Sequence, residues 1–161
     1  MSHLTKMQLA VIAPDYVSDV NTAKQINDFK LKDINGRIIW LSQFSSVDIL
    51  IINIWSAGCP VCRTEIPSIT ELDKRLAHNS RIALVTIAVA DSFDDVAAYF
   101  PKGTNLRILF DAKNRVGEGI FKTTKYPETF ILDKQRRIRA RFDGSRQWHS
   151  DAFLTYLNSF L

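Results

Sequence analysis

The feature that most constrains this fold is a pair of cysteines at the point where a buried strand gives way to a helix. Cys59 and Cys62 are the only cysteines of the chain. The apolar run at residues 48–54 predicts a strand buried on both faces, and helical spacing of apolar residues predicts a helix over residues 60–78. The pair therefore lies at a helix N-terminus, where free backbone N–H groups and a partial positive charge favour a thiolate. A thiolate is the nucleophile of a redox dithiol, so this position indicates redox chemistry.

Length and charge exclude several classes of protein. The chain has 161 residues, which suits one full core and is too short for two. Its net charge is +4 and its basic residues are scattered, so nucleic-acid binding is not indicated. The apolar runs are only about as long as strands, so none is predicted to span a membrane. The run at residues 9–13 stops at Pro14 and is too short for a signal peptide.

The order of the predicted elements indicates an α/β fold with a mixed sheet covered by helices. Asn35-Gly36 predicts a two-residue hairpin turn in which both residues have positive φ. Strand–helix–strand crossovers follow, and the chain ends with a second hairpin and a helix. Residues 1–26 are expected to form an N-terminal arm or a short strand at 9–12, and residues 27–161 one domain. The predicted strands are 29–33, 37–41, 48–54, 81–89, 106–110, 129–133 and 137–142, and the predicted helices are 60–78, 93–100, 114–121 and 148–160.

A single Cys-x-x-Cys motif leaves alternatives to a redox dithiol. A structural zinc site needs four ligands, but there is no second such motif and the histidines stand far apart, at positions 3, 78 and 149. Unreactive core cysteines are expected inside a strand or on a buried helix face, not beside Pro60 at the end of an element. A peroxidase with one attacking thiol is expected to carry a threonine three residues before it, where this chain has Ser56. The redox dithiol explains the residues best.

Three arginines alternate with apolar residues in the last predicted strand. Arg137, Arg139 and Arg141 are therefore expected on one face of that strand. A row of cations can bind nucleic acid, but it also protects an exposed sheet edge from pairing. Because no exposed aromatic residues are interleaved, protection of an edge or face is the better prediction, and we expect no nucleic-acid partner.

Two motifs, far apart and in matching order, resemble those of a known family. The first is Trp-x-x-x-Cys-Pro-x-Cys-Arg-x-Glu-x-Pro, from Trp55 to Pro67, and the second is Tyr-Pro-Glu-Thr-Phe-Ile-Leu-Asp at residues 126–133. They resemble the membrane-anchored or periplasmic disulfide reductases of the TlpA/ResA/DsbE group, which includes cytochrome c maturation reductases. The resemblance covers residues 27–160. It implies a thioredoxin fold with an N-terminal hairpin and an inserted helix–strand segment, so that residues 27–161 are a thioredoxin-like domain.

The resemblance implies a role for each matching residue. Cys59 matches the attacking cysteine, and Cys62 matches the shielded cysteine that resolves the mixed disulfide. Pro127 matches a cis-proline packed against the active-site disulfide. Pro67 matches a proline that kinks the first helix, although it could also end the first turns. Trp55 matches an aromatic residue before the site, and ordinary core packing explains it equally well. The groove expected to hold an extended client segment is formed by Trp55, Pro60, Val61, Tyr126 and Pro127.

Two positions separate the chain from cytoplasmic thioredoxin, and the first is Asn53, where thioredoxin carries a buried aspartate. An asparagine side chain cannot accept a proton at working pH, so another group must take the proton of Cys62. Glu65 is three residues beyond Cys62 and therefore on the same helix face. The reductases that the chain resembles carry a glutamate there too. The alternative is a solvated surface glutamate that stabilises the N-terminal turn of the helix.

We therefore expect a thiol-disulfide oxidoreductase that reduces disulfides of partner proteins through Cys59 and Cys62. This exchange requires no cofactor and no metal. The resemblance implies a periplasmic or other extracytoplasmic protein, reduced by a membrane-embedded thiol protein and attached to a membrane only through an anchor outside this sequence. We also expect a monomer. Two alternatives stay open: a non-catalytic binding module whose disulfide is a structural staple, and an oxidase that donates disulfides.

Overall fold

The chain folds around a mixed sheet in which three neighbouring strands are parallel and the other pairings are antiparallel, as predicted. The computed structural model describes residues 12–89 and 92–161. Within these residues the sheet has eight strands in the order β1-β8-β7-β4-β5-β6-β2-β3. The strands are β1 (Tyr16–Val17), β2 (Lys30–Asp33), β3 (Ile38–Trp40), β4 (Ile49–Trp55), β5 (Ile82–Val89), β6 (Ile108–Asp111), β7 (Glu128–Asp133) and β8 (Ile138–Asp143). The helices are α1 (Pro60–Leu76), α2 (Phe93–Ala97) and α3 (Asp151–Asn158), with a short 3-10 helix at Leu41–Phe44.

The sheet has a separate hydrophobic core on each face. On one face, side chains of α1 and α3 such as Leu72 and Phe153 are fully buried with residues of β4 and β5. On the other face, Phe29, Val116 and Phe121 pack against the alternate residues of the same strands. Every residue of β4 and of β5 is buried, which explains why both strands read as nearly continuous apolar runs.

The parallel strands terminate together, at what we call the redox end of the sheet. Trp55, the last residue of β4, pairs with Ala88 of β5, and Asp111, the last residue of β6, pairs with the last residue of β5. β7 runs antiparallel to β4, so the residues that precede β7, 126–127, lie at this end too. The Cys-x-x-Cys motif follows β4 directly. The topology therefore brings the two sequence motifs together.

The connection between β2 and β3 is longer than the predicted two-residue turn. It comprises residues 34–37, of which only Gly36 has a positive φ, 78°. The cause is Asp33, whose carboxylate accepts hydrogen bonds from the backbone N–H groups of Asn35 and Arg37, each at 2.9 Å. An aspartate that bonds its own backbone two residues on stabilises a different turn, and the two-residue prediction is wrong.

The helix predicted over residues 114–121 is also wrong, because this segment forms successive turns. Asn114 and Lys122 have left-handed backbone conformations, with φ of 54° and 59°. The buried carboxylate of Asp111 accepts hydrogen bonds from the backbone N–H groups of residues 115–117, at 3.0, 3.0 and 2.7 Å. These N–H groups therefore bond to a side chain and not to the backbone carbonyl groups that a helix would offer, so the segment does not form a helix.

The other predicted helices are present with different ends. α1 continues through Pro67 and ends at Leu76, and α2 ends at Ala97. α3 is shorter than the predicted 148–160 because Ser150 caps it. The Ser150 hydroxyl accepts a hydrogen bond from the Phe153 N–H at 3.2 Å, which fixes where the helix begins.

The described part of the N-terminal arm contributes the outermost strand, β1, which the sequence did not predict. β1 pairs antiparallel with β8. Arg139 Nε donates to the Ser18 carbonyl at 2.9 Å, and Arg137 Nη1 donates to the Val20 carbonyl at 3.1 Å. The arginines of the last strand therefore hold a chain segment over the sheet edge. The strand predicted at 9–12 lies, but for its last residue, outside the described residues.

Candidate functional site

The two cysteines form a disulfide at the first turn of α1, with their Cα atoms 5.3 Å apart. Cys59 is the N-cap residue, and its Sγ accepts a hydrogen bond from the Cys62 N–H at 3.2 Å. Cys59 is half-buried, whereas Cys62 is only 1% exposed. In the reduced protein, the same N–H group and the helix N-terminus favour a thiolate at Cys59. Cys59 is thus the accessible sulfur and Cys62 the shielded one.

Four of the five residues predicted to form the client groove belong to the two segments that meet at this disulfide, 59–61 and 126–127. The Tyr126–Pro127 bond is cis, as predicted, and the Tyr126 carbonyl oxygen lies 3.6 Å from Cys59 Sγ. Pro60 and Val61 stand at the surface on the first turn of α1. Val61 is 49% exposed, which is unusual for an apolar side chain of this size. The rim of the site is therefore partly apolar.

The fifth residue, Trp55, lies in the core behind the Cys-x-x-Cys loop. It is 1% exposed, and its ring meets that of Tyr99 edge to face with centroids 5.6 Å apart. This placement favours the core-packing interpretation of Trp55. Tyr99 was not predicted as a site residue, yet its hydroxyl donates to the Ala57 carbonyl and its ring lies 5.1 Å from the Arg63 guanidinium. Tyr99 and Ala57 are 42 residues apart in sequence, so no local pattern could have revealed their contact.

Glu65 is at the centre of a buried polar network. The residue is 2% exposed, and its Oε1 accepts hydrogen bonds from the Asn53 amide at 3.1 Å and from the Trp148 indole N–H. The Asn53 amide also donates to the Thr129 hydroxyl at 2.9 Å. Burial excludes the alternative of a solvated surface glutamate. The sequence indicated Asn53 and Glu65 but not Trp148, which lies 83 residues from Glu65.

The buried environment of Glu65 sets the pKa of its carboxyl group. Burial raises the pKa of Glu65 to about 7, although the Trp148 and Asn53 donors and the positive charge of Arg146 act in the opposite direction. Its second oxygen, Oε2, is buried and has no hydrogen-bond partner among the described residues. A cleft of about 480 Å³, lined by Glu65, Ser68 and Arg146 among others, opens beside it to solvent. A carboxyl group with such a pKa can both accept and release a proton near pH 7.

Comparison with known proteins identifies the family of the chain. A family model described as the AhpC/TSA family matches residues 22–141. The chain belongs to the AhpC/TSA family. It is 27% identical over 122 residues to the thioredoxin-like protein YneN of Bacillus subtilis, covering 74% of this chain and 70% of the relative. It is 28% identical over 144 residues to the thiol:disulfide interchange protein DsbE of Vibrio cholerae, covering 84% of this chain and 73% of the relative.

A solved structure confirms the fold of this AhpC/TSA family member. The DsbF homologue of Corynebacterium diphtheriae matches it with a TM-score of 0.71 at 22% identity, covering 89% of this chain and 91% of the other. The predicted thioredoxin fold and the resemblance to DsbE-type proteins are therefore confirmed. With two cysteines at disulfide distance at the head of α1, the protein is a thiol-disulfide oxidoreductase.

Glu128, directly after Pro127, is a second buried carboxyl group at the redox end. It is 8% exposed and accepts a hydrogen bond from the Thr123 hydroxyl at 2.8 Å. Burial, together with the cross-strand carboxyl of Asp143, raises the pKa of Glu128 to about 7. Because side chains alternate along β7, Glu128 and Thr129 face opposite sides of the sheet, so Glu128 is not part of the Glu65 network. Sequence reasoning missed it because burial by a neighbouring strand leaves no local signal.

The described side chains at this end offer thiol exchange and proton transfer. The groups that supply them are the two sulfurs and the two buried carboxyl groups. In the part of the chain that the structure describes, no three His, Cys, Asp or Glu side chains are grouped to hold a metal ion. None of the described helices has the length and apolar character needed to cross a bilayer.

Proposed function

We propose that this oxidoreductase reduces disulfides in client proteins, with Cys59 as the attacking residue and Cys62 as the resolving residue. The observation that carries the proposal is the asymmetry of the pair at the head of α1. Cys59 is the accessible N-cap residue and Cys62, with 1% exposure, lies behind it. A client disulfide can therefore reach one sulfur only, which defines the order of the two exchange steps.

In the first step, the Cys59 thiolate attacks one sulfur of the client disulfide. The client S–S bond breaks, a client thiolate leaves, and a mixed disulfide joins Cys59 to the client. The Cys62 N–H, 3.2 Å from Cys59 Sγ, stabilises the attacking thiolate before this step. The partial positive charge of the α1 N-terminus acts in the same direction.

In the second step, Cys62 attacks Cys59 Sγ and releases the client as a dithiol. Cys62 must first lose its proton, and Glu65, one helical turn along the same face, is the group we assign to accept it. A pKa of about 7 makes Glu65 a base near neutral pH, and the cleft beside it gives the proton a path to solvent while the client covers the thiol. The protein ends oxidised by two electrons and the client reduced by two.

The client segment is proposed to lie in an extended form beside residues 126–127. The Tyr126 backbone, next to Cys59 Sγ, is placed to pair with an extended segment, and the exposed Val61 side chain offers it an apolar contact. Pro60 completes this rim, and Pro127 is buried next to Tyr126. Trp55 supports the loop from the core and contributes no surface of its own.

The partners and location of the protein follow from the same proposal. Each turnover leaves the Cys59–Cys62 disulfide, so an external thiol donor must reduce it again. The resemblance to DsbE-type reductases supports an extracytoplasmic location, a membrane-embedded thiol donor and clients such as those of cytochrome c maturation. We propose a monomer.

The deciding experiment is a titration of the Cys59–Cys62 pair against glutathione redox buffers, combined with reduction of a disulfide peptide. A reductase is expected to have a potential near or below that of glutathione, about −220 mV, and to reduce the peptide with dithiothreitol as donor. A potential near about −120 mV would instead identify a donor of disulfides. A pair that stays oxidised below about −300 mV and exchanges with no peptide would identify a structural staple.

A further inference from the structure

We propose that a basic loop beside the redox site selects client segments that carry acidic residues next to their disulfide. The basic loop comprises residues 112–125, between β6 and the cis-proline. The inference rests on the proposed function and deepens it by naming the chemistry of the client.

The basic loop is fastened to the site at both ends. At its start, the Asp111 carboxylate accepts hydrogen bonds from three of its backbone N–H groups. Also near its start, the Asn114 amide donates to the Tyr126 hydroxyl at 3.1 Å. At its end, it leads directly into Tyr126, whose carbonyl oxygen lies 3.6 Å from Cys59 Sγ. Val116 and Phe121 anchor it in the core. The loop therefore forms a fixed wall of the client groove on the sheet face opposite α1.

The surface of this wall is strongly cationic. Its four basic side chains are all exposed, and the sequence of the loop holds one carboxylate, that of Glu118. The carboxyl groups that flank the loop in sequence, Asp111 and Glu128, are buried, and the half-exposed Asp143 across from Glu128 is paired with Arg141. The four basic residues are Lys113, Arg115, Lys122 and Lys125.

None of these four cations forms an ion pair among the described residues. The ion pairs of the other described basic residues include those of Arg137, Arg139 and Arg146, which lie along the β1–β8 edge. Lys122 donates to the carbonyl of Gly119, a neutral group that leaves its charge in place. Unpaired cations on a backbone that is held in place attract an anionic segment and raise its rate of encounter.

Acidic residues of α2 lie on the sheet face opposite the basic loop. Asp94 and Asp95 are exposed in the first turn of α2, and α2 packs through Val96 into the core on the α1 side of the sheet. The basic loop lies on the opposite side. An acidic client residue is therefore attracted toward the loop and repelled from the first turn of α2, although the exposed Arg63 guanidinium, over the Tyr99 ring on the α1 side, is a further cation there.

The test uses three disulfide peptides of identical sequence except for flanking residues, which are aspartate, serine or lysine. The reduced full-length protein is expected to act on the acidic peptide with a kcat/KM on the order of tenfold above that for the basic peptide at low salt. The preference should largely vanish in 1 M NaCl, where the Debye length is about 3 Å. Because each ratio is taken within one protein, changes in Cys59 reactivity cancel.

A matched pair of variants locates the effect. Lys113→Glu with Lys125→Glu is expected to abolish or invert the preference. Lys24→Glu with Lys134→Glu changes the net charge equally at exposed positions away from the redox end, and is expected to preserve the preference. The inference is overturned if the wild-type protein treats acidic and basic peptides alike, or if the control variant loses the preference as fully as the loop variant.

A binding measurement separates this inference from the proposed function. The same three peptides with serine in place of cysteine are titrated by fluorescence anisotropy, which requires no exchange. Acidic preference in binding without exchange of any disulfide peptide contradicts the reductase function and supports the docking surface. Exchange with all three disulfide peptides at equal rates contradicts the docking surface and supports the reductase function.

Discussion

The β1–β8 edge and the redox end of the sheet use basic residues in opposite ways. Along the edge, Arg139 donates to a backbone carbonyl and Arg146 pairs with Asp15 at 2.9 Å, so these cations fasten the N-terminal arm. At the redox end, Lys113 and Lys125 are exposed and, among the described residues, without ion pairs. A charged side chain that already has partners within the protein stabilises the fold, whereas one without such partners remains available to a ligand. The partners of the side chain, more than its charge, therefore decide its role. Changes at the edge should therefore alter stability, and changes at the redox end should alter rate.

The largest expected effect is that of Cys59→Ser on rate. Removing the accessible nucleophile should lower peptide-disulfide reduction on the order of 10³-fold or more. Cys62→Ser should instead accumulate a mixed disulfide through Cys59, detected by mass spectrometry. Timed alkylation of the reduced wild-type protein at neutral pH checks the assignment. Faster labelling of Cys62 than of Cys59 would reverse the proposed roles.

The next effect is that of Glu65→Gln, which keeps the shape of the side chain and removes the proton acceptor. Resolution of a preformed mixed disulfide should slow on the order of 10- to 100-fold, while first attack changes less. Because the carboxylate is the active form, the wild-type resolution rate should rise as pH increases through about 7. Stopped-flow measurements from pH 5.5 to 8.5 should show this inflection lost in the variant. If the variant kept the pH profile of the wild-type protein, Glu65 would have a purely structural role.

The third effect is that of Glu128→Gln, which tests whether Glu128 affects stability or rate. Its folded pKa of about 7 is above the ordinary value of 4.5, so the unfolded chain ionises first as pH rises. The stability contribution of Glu128 is therefore complete below about pH 4.5 and is lost as pH rises through about 7. Glu128→Gln should be more stable than wild type by about 1–3 kcal/mol at pH 8, and close to it at pH 4.5. Urea unfolding of both proteins at the two pH values measures this difference.

The activity of Glu128→Gln shows whether a residue at the redox end can affect stability alone. If peptide reduction by Glu128→Gln stays within about twofold of wild type, the group acts on stability although it lies at the redox end. A difference in unfolding free energy that is the same at both pH values would contradict the buried, protonated state described for Glu128.

The smallest effect is expected for Arg139→Gln, which removes a bond that fastens the N-terminal arm. The free energy of unfolding should fall by about 1 kcal/mol, and peptide reduction should not change. Hydrogen exchange should be faster at the Ser18 amide, which donates to the Arg139 carbonyl at 2.9 Å. Arg115→Gln, in the basic loop, is the matched control and should leave stability within about 0.5 kcal/mol of wild type. Equal losses from both variants would remove the distinction between the two regions.

The parts of the fold that sequence predicted best are those that local pattern determines. β4 and α1 follow from apolar periodicity, and the position of Cys59 at their junction follows from that boundary. The segments that failed are governed by single carboxylates acting at short range. Asp33 and Asp111 each bond several backbone N–H groups and thereby replace the predicted turn and the predicted helix.

The candidate site was predictable to the extent that it lies within motifs. Cys59, Cys62, Glu65 and the residues around Pro127 could be found because each motif holds its residues at fixed spacing. Trp148 and Tyr99 could not, because their contacts with the site join segments far apart in sequence. Strand β1 was missed for a similar reason, since two residues paired with β8 carry no periodicity of their own.

The hydrogen bond from Trp148 to Glu65 has a consequence for protein engineering. Transplanting residues 59–65 into another scaffold of this fold would transfer the sulfurs and the glutamate but not the indole that meets it. The recipient would bury a carboxyl group with a different set of donors, and its proton affinity would follow the recipient's environment. A working graft must therefore carry Asn53 and Trp148 along with the helix, so the smallest portable unit of this chemistry combines the end of β4, the start of α1 and the segment before α3.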